Sequence, residues 1–423
     1  MLRQAPPVSS SASPARPWLI AVVATLAMSV SYLDRQTLAA IAPTVREQLS
    51  LSHEAFGWLT SAFAASYLVC APPAGWLADR LGARRVLAGA VIVWSIVAAA
   101  HGLAGTFLSL VLLRVALGLT ESPTFPAATQ AIRRALPPSK RSLGMGMLFT
   151  GSSFGAMLAA PLAVGVTARY GFRYAFLATA VVGLLWLPAW LLATRDLQGP
   201  PAIHADTERL PLLQVMLHPA MLRQTILVAT SAPAILVVLQ WFPQYLVETS
   251  GVAKESVGKY LWLPPLLFDA CAVGFGAFAS RLDVQRPGSP HRGLVLLAAG
   301  LTACLAFVPM GGSAWPRVIF ASLAMGGGAG MYVLGSADML RRMPPGAVAT
   351  ATGLAAAVQS LAQIIASPLI GASLDKDHGW GRVMIALGAL ALPGGLLWCL
   401  LRPPPLLSDL VGLDGARSDE QGA

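Results

Sequence analysis

Along this chain apolar residues continue for about 20 positions at a time, and short polar clusters separate the runs. A helix rising 1.5 Å per residue needs a run of about that length to cross a hydrocarbon core about 30 Å thick. Twelve such runs predict twelve spanning helices. The first six lie near 17–43, 54–78, 86–104, 107–131, 142–167 and 173–194. The second six lie near 221–247, 256–280, 293–311, 316–340, 347–372 and 380–401. The predicted organisation is a disordered tail over 1–16, a six-helix bundle over 17–194, a linker over 195–217, a second bundle over 218–402 and an exposed tail over 403–423. The first run is too long for a signal-peptide core and is followed by further spans, so it is expected to be retained.

Only 11% of the 423 residues are charged, against roughly 25% in a soluble domain, so the chain reads as an all-α integral membrane protein. The net charge of +10 does not imply nucleic acid, because the basic residues sit in short clusters between apolar runs. Nineteen of the 29 Lys and Arg lie on the side that holds both ends, eight lie in the opposite loops, and Arg35 and Arg114 lie inside spans. That asymmetry places both termini in the cytoplasm. The four cysteines are far apart in apolar runs and suggest neither a disulfide framework nor a metal site. The six histidines are dispersed, with no metalloprotease, nucleophile-elbow or phosphate-loop motif, so an enzyme and a cofactor are not expected.

Within the first run stands Ser31-Tyr32-Leu33-Asp34-Arg35. Asp or Arg at a bilayer centre costs roughly 2.5–3.5 kcal/mol each, so such residues mark function unless they only lock helix packing. Tyr32 and Arg35 share one helix face, and Ser31 and Asp34 another. The fourth run carries Arg114 and, seven residues on, Glu121. They share a face about 10 Å apart, too far for a direct hydrogen bond, which suits two separate partners along a cavity wall. Pro123 and Pro126 can bend the end of that span.

The halves repeat weakly. Gly75-Trp76-Leu77-Ala78-Asp79-Arg80-Leu81 closes span two and Gly276-Ala277-Phe278-Ala279-Ser280-Arg281-Leu282 closes span eight. Ala160-Pro161-Leu162 is echoed by Ser367-Pro368-Leu369. Parallel six-helix repeats are a transporter architecture with its site at the midplane between halves. In the first loop Gly75 permits close helix approach, Gly82 suits a tight turn, and Arg80, Arg84 and Arg85 hold the cytoplasmic face. With Asp79 they form a conformational latch that is not expected to touch substrate.

That loop resembles the signature of the major facilitator superfamily. Tyr32-x-Asp34-Arg35, Arg114 to Pro126, Gly151-Ser152-Ser153-Phe154-Gly155, Gly171-Phe172-Arg173, Trp241 to Leu246 and Ser367-Pro368 extend the resemblance over nearly the whole chain, to the anion:cation symporters. Gly171-Phe172-Arg173 departs mildly from that family's usual Gly-Trp-Arg. Trp262 to Arg281 is most similar to hexuronate transporters. The resemblance implies import of a small organic anion, a hexuronate or related sugar acid, by proton symport across a bacterial inner membrane. It implies that Arg35 holds the carboxylate, Asp34 and Glu121 carry protons, Arg114 tunes Glu121, and Tyr32 and Tyr67 shape the pocket. A proton on Asp34 would release Arg35 for the anion, and two such acids allow up to two protons per monoanion.

In the second half Gln240, Trp241, Ser336, and Gln359 with Gln363 can meet hydroxyls or a ring face, or can simply pack helices together. Asp269, alone in mid-span eight, is left open between coupling and structure. The expected partners are the anion, protons and membrane lipid, with the protein a monomer. A drug-efflux antiporter of the same superfamily is the alternative, but two intramembrane arginines fit an anionic cargo better. A non-transporting sensor would need an output domain that the sequence given does not contain.

Overall fold

The computed structural model describes residues 15–197, 211–285, 291–344, 347–376 and 379–405, whose regular structure is entirely helical. Twelve segments are long and apolar enough to cross a membrane, in the predicted order. The first half contains α1 (Ala15–Ala40), α2 (Ala42–Gln48), α3 (His53–Leu81), α4 (Ala83–His101), α5 (Phe107–Glu121), α6 (Thr124–Ala135), α7 (Pro138–Tyr170) and α8 (Phe172–Ala193). The second contains α9 (Leu212–Leu217), α10 (Pro219–Leu236), α11 (Phe242–Ser250), α12 (Leu263–Gln285), α13 (Arg292–Ala303), α14 (Ala314–Arg342), α15 (Val348–Asp375) and α16 (Gly379–Leu400).

Local chemistry sets the boundaries. The Ser52 hydroxyl accepts from Ala55 N–H at the start of α3, and Thr106 with Ser109 forms a reciprocal cap on α5. Gly82 turns α3 into α4 with φ +83°, a conformation that disfavours a side chain. Span four breaks between α5 and α6 at Ser122-Pro123, where the proline was expected to bend it. Span seven opens into a wide π turn, Val237–Trp241, just before Pro243, whose missing N–H cannot continue the α-helical ladder. Part of the expected linker is helical: α9 tucks Val215 against the second half and leaves Leu212, Leu213, Met216 and Leu217 exposed.

Small residues bring the helices together. A Cβ on Gly155 would lie 2.1 Å from the Ser29 carbonyl oxygen, so α7 meets the backbone of α1 directly. Between halves, α3 lies along α15, α7 meets α12 and the short turn Lys254–Lys259, and α1 meets the π turn. A Cβ on Gly57 would lie 2.5 Å from Ser367 O, and one on Gly371 2.4 Å from His53 O. Thr60 and Ser367 share a hydrogen bond of 2.5 Å, and Ser61 Oγ donates to Ile364 O at 3.0 Å. All of these contacts lie toward the face opposite that at which α1 begins and α16 ends. Beyond them α3 exposes Val69, Pro72, Pro73, Trp76 and Leu77, and α15 exposes Thr352, Gly353, Ala356 and Gln359. The halves are sealed on one face and part toward the terminal face.

Two glycine substitutions separate folding from closure. Gly155→Val should destabilise the protein in detergent by about 1–3 kcal/mol, because the collision lies inside one half. Gly57→Val should lower the thermal midpoint less, but should make a cysteine placed at Ser61 reactive from the opposite face. Equal destabilisation by both, with no gain in labelling, would contradict this division.

Candidate functional site

The candidate site is built on α1, with α3 and α5 as its walls. Gly118 lies between Arg114 and Glu121 on α5, and a Cβ there would meet Ser66 Oγ at 2.1 Å and Phe63 O at 2.5 Å. The glycine therefore lets α3 approach until Phe63 and Tyr67 reach Arg35 of α1. On the other side, Gly151 and Gly155 seat α1 against α7. One close backbone approach thus seats α1 on α7, and a second, between α5 and α3, brings the cage residues to it.

Arg35 donates from Nε to Glu121 Oε2 at 2.6 Å, and Ser31 Oγ donates to the same oxygen at 2.8 Å. The guanidinium carbon lies 4.8, 5.0 and 4.5 Å from the ring centres of Tyr32, Phe63 and Tyr67. An aromatic cage of this kind holds a cation by its ring faces while leaving in-plane donors for an anion. Arg35 Nη2 and Glu121 Oε1 have no hydrogen-bond partner among the described residues. Glu121 is fully buried, whereas Arg35 retains 14% side-chain exposure.

This geometry corrects the expected pairing. Asp34 does not hold Arg35: successive helical residues point about 100° apart, and Asp34 turns into the first bundle near Trp94, Thr179 and Arg114. Asp34 and Arg114 are both buried, and Arg114 Nε and Nη2 have no hydrogen-bond partner among the described residues. No hydrogen bond joins Arg114 to Glu121 among those residues, in keeping with their seven-residue spacing. Asp34, Arg35, Arg114 and Glu121 carry formal charges that sum to zero when both acids are ionised.

The second-half candidates divide. Trp241 is wholly buried, donates to Ser367 Oγ at 3.2 Å and packs edge-on against Phe56, so it is a core residue rather than a ligand platform. Ser336 accepts from Gln224 Nε2 at 2.9 Å and serves helix packing. Gln240 is half-buried on the π turn beside α1, and Gln359 is exposed on α15. Asp269 accepts from Ser153 Oγ across the halves at 2.7 Å. Sequence reasoning missed Phe63 in the Arg35 cage. It has no sequence signal, because an aromatic residue in an apolar helix is the ordinary case.

The loop after span two also departs from expectation. Among the described residues a Cβ on Gly75 would meet only Pro126 Cβ, at 3.9 Å, an ordinary contact, so close approach does not require this glycine. Arg80 stacks on Trp76 with its guanidinium carbon 4.1 Å from the ring centre. Arg84 is tied to α8 through Trp190 Nε1, which donates to its carbonyl at 3.0 Å, and Arg85 is exposed. Gln130 of α6 staples the turn, accepting from Ala83 N at 2.7 Å and donating to Ala78 O at 3.1 Å. The side chain of Asp79 lies outside the described residues.

On the opposite face a polar cluster joins the halves. Arg46 Nη1 donates to Gln244 Oε1 at 2.7 Å and to Glu248 Oε1 at 2.9 Å. His53 pairs with Asp375 at 2.8 Å and with Glu248 at 3.1 Å, while Trp380 Nε1 donates to Glu248 at 2.9 Å. Asp375 also accepts from the backbone N–H groups of His53 and Glu54, capping α3 from the other half. Lys254 pairs with Glu47.

A sequence model of the family described as Major Facilitator Superfamily matches residues 24–367. The chain is 27% identical to the hexuronate transporter of Escherichia coli (strain K12), over 92% of this chain and 95% of that protein. It is 28% identical to the galacturonate transporter of Dickeya chrysanthemi, over 61% of this chain and 80% of that protein. Its fold is similar to that of a bacterial homologue of the human lysosomal transporter Spinster, solved in an inward-facing and occupied conformation. The TM-score there is 0.75 at 17% identity, covering 92% of this chain and 97% of that one.

The Glu248 cluster should bias the population of states. Glu248→Ala removes acceptors for Arg46, His53 and Trp380, and about 1 kcal/mol is expected for such half-exposed pairs. The closed-to-open ratio on that face should fall about fivefold, read by distances between spin labels on α3 and α15. An unchanged distance distribution would show that the cluster does not latch the halves.

Proposed function

The chain belongs to the major facilitator superfamily, a family of transporters rather than enzymes, and on that premise we propose that it imports a hexuronate or related sugar acid by proton symport. The observation that carries this reading is the buried Arg35–Glu121 ion pair, with a guanidinium edge left over inside an aromatic cage. Arg35 is the group for the substrate carboxylate, because a planar guanidinium matches it in two parallel hydrogen bonds. While Glu121 is ionised it competes for that guanidinium. A proton on Glu121 removes the competitor, so proton and anion bind together.

Charge supplies the second half of the coupling. The four intramembrane groups balance when empty, and a bound monoanion would leave one uncompensated negative charge in a medium where that is costly. One proton restores neutrality. A second, on Asp34, would add a positive charge driven inward by about 2.3 kcal/mol per 100 mV. Asp34 lies apart from Arg35 and beside Arg114, so its proton acts through the field of the cluster and not by direct release. Tyr332, Gln240 and Gln359 are the second-half candidates for substrate hydroxyls. The basic loops support an orientation with both termini in the cytoplasm, and on this reading the protein acts as a monomer in a bacterial inner membrane.

Proteoliposomes under imposed gradients test this. Arg35→Lys loses the bidentate match, worth about 2 kcal/mol, and should weaken binding about 30-fold while insertion is retained. In the wild type affinity should rise as pH falls. Glu121→Gln, already uncharged, should bind with a flatter pH dependence and fail to accumulate substrate against its gradient. Accumulation by that variant, uptake driven by sodium but not by protons, or competition by aromatic acids but by no sugar acid would each overturn the proposal.

A further inference from the structure

The halves repeat the same order of helices yet differ at one seam. In the first half α7 and α8 pack along one another, whereas their counterparts α15 and α16 touch only sparsely, with α10 beneath both. Between them lies a cleft of about 660 Å³. Pro233 of α10 forms part of its floor, and Leu361, Ile365 and Leu369 of α15 face Ala386 and Leu390 of α16 across it. The opposite side of α15 is the one that seals against α3 through Ile364, Ser367 and Gly371. The cleft therefore lies behind the gating helix, apart from the Arg35 site.

Its chemistry changes at one end. Ser373 and Arg382 complete the lining at the face opposite the termini, where α15 ends and α16 begins. Arg382 is exposed and forms no ion pair among the described residues. From Ser373 to Val358 the trough follows α15 for roughly 22 Å, more than half of a hydrocarbon core about 30 Å thick. A small anion would use only the mouth and a plain hydrocarbon only the trough. One molecule satisfies both ends: an anionic head at interfacial height on an apolar chain that runs into the hydrocarbon core from that face.

We propose that this cleft binds one membrane phospholipid, its phosphate on Arg382 and an acyl chain between α15 and α16. A guanidinium holds a phosphate through charge-assisted, often bidentate hydrogen bonds, and the trough offers the chain a concave apolar surface in place of mobile neighbours. An arginine that merely extends its head into water would need neither the trough nor a phosphate. The lipid would complete the packing that α7 and α8 achieve directly in the first half.

Native mass spectrometry of the full chain in detergent tests the site, with phosphatidylglycerol and a diacylglycerol of the same chains as probes. The wild type should retain one phosphatidylglycerol and bind the diacylglycerol at least tenfold more weakly. Arg382→Gln should reduce phosphatidylglycerol to the diacylglycerol level, and Ala386→Trp, which fills the trough, should reduce both. Arg382→Gln is at an exposed position and carries the test if Ala386→Trp does not fold. Equal retention by wild type and Arg382→Gln, or diacylglycerol binding as tight as phosphatidylglycerol, would overturn the assignment.

Discussion

A guanidinium and a carboxylate 2.6 Å apart inside a bundle of apolar helices constrain the rest of this protein. Removing either ion from water is expensive, and the pair is tolerable only because each neutralises the other and finds further polar or aromatic contacts. Ser31 and the three rings around Arg35 supply them. The helices must then approach closely enough to bring those groups together, which explains Gly118 on α5 and Gly151 and Gly155 on α7. Small residues in the span are the steric counterpart of its charges.

The same pair separates binding from structure. A buried ion pair whose partners were both saturated would be mortar. Here Arg35 Nη2 and Glu121 Oε1 have no partner among the described residues, so the pair can exchange one partner for another without leaving a charge bare. Such exchange is the elementary step that coupled transport needs. It is linked to the seal between halves because α1 and α3, which carry Arg35 and its cage, also meet the π turn and α15.

The seal itself rests on backbone contact more than on charge. Gly57 against Ser367 and Gly371 against His53 leave no room for a side chain, so that face is either closed to near contact or parted. The polar cluster around Glu248 lies at its outer rim, partly exposed, where solvent screens ion pairs. The cluster can set a population of states, and the glycine contacts set the geometry of the closed one.

By itself the sequence determined the twelve spans, because hydrophobic run length answers directly to bilayer thickness. It also determined which polar residues stand inside them, since the cost of burying a charge makes Asp34, Arg35, Arg114 and Glu121 conspicuous without any structure. The Pro123 break and the Gly82 turn were legible for the same reason: both follow from the backbone of a single residue. Only the tertiary structure decided who meets whom. Arg35 pairs with Glu121, 86 residues away, and not with its neighbour Asp34, because helix rotation turns adjacent side chains apart. Trp241 and Ser336 looked available and are taken up in packing, while Phe63 looked ordinary and packs on Arg35. Sequence periodicity fixes which face of a helix a residue occupies, but the direction in which that face points depends on how twelve helices settle against one another.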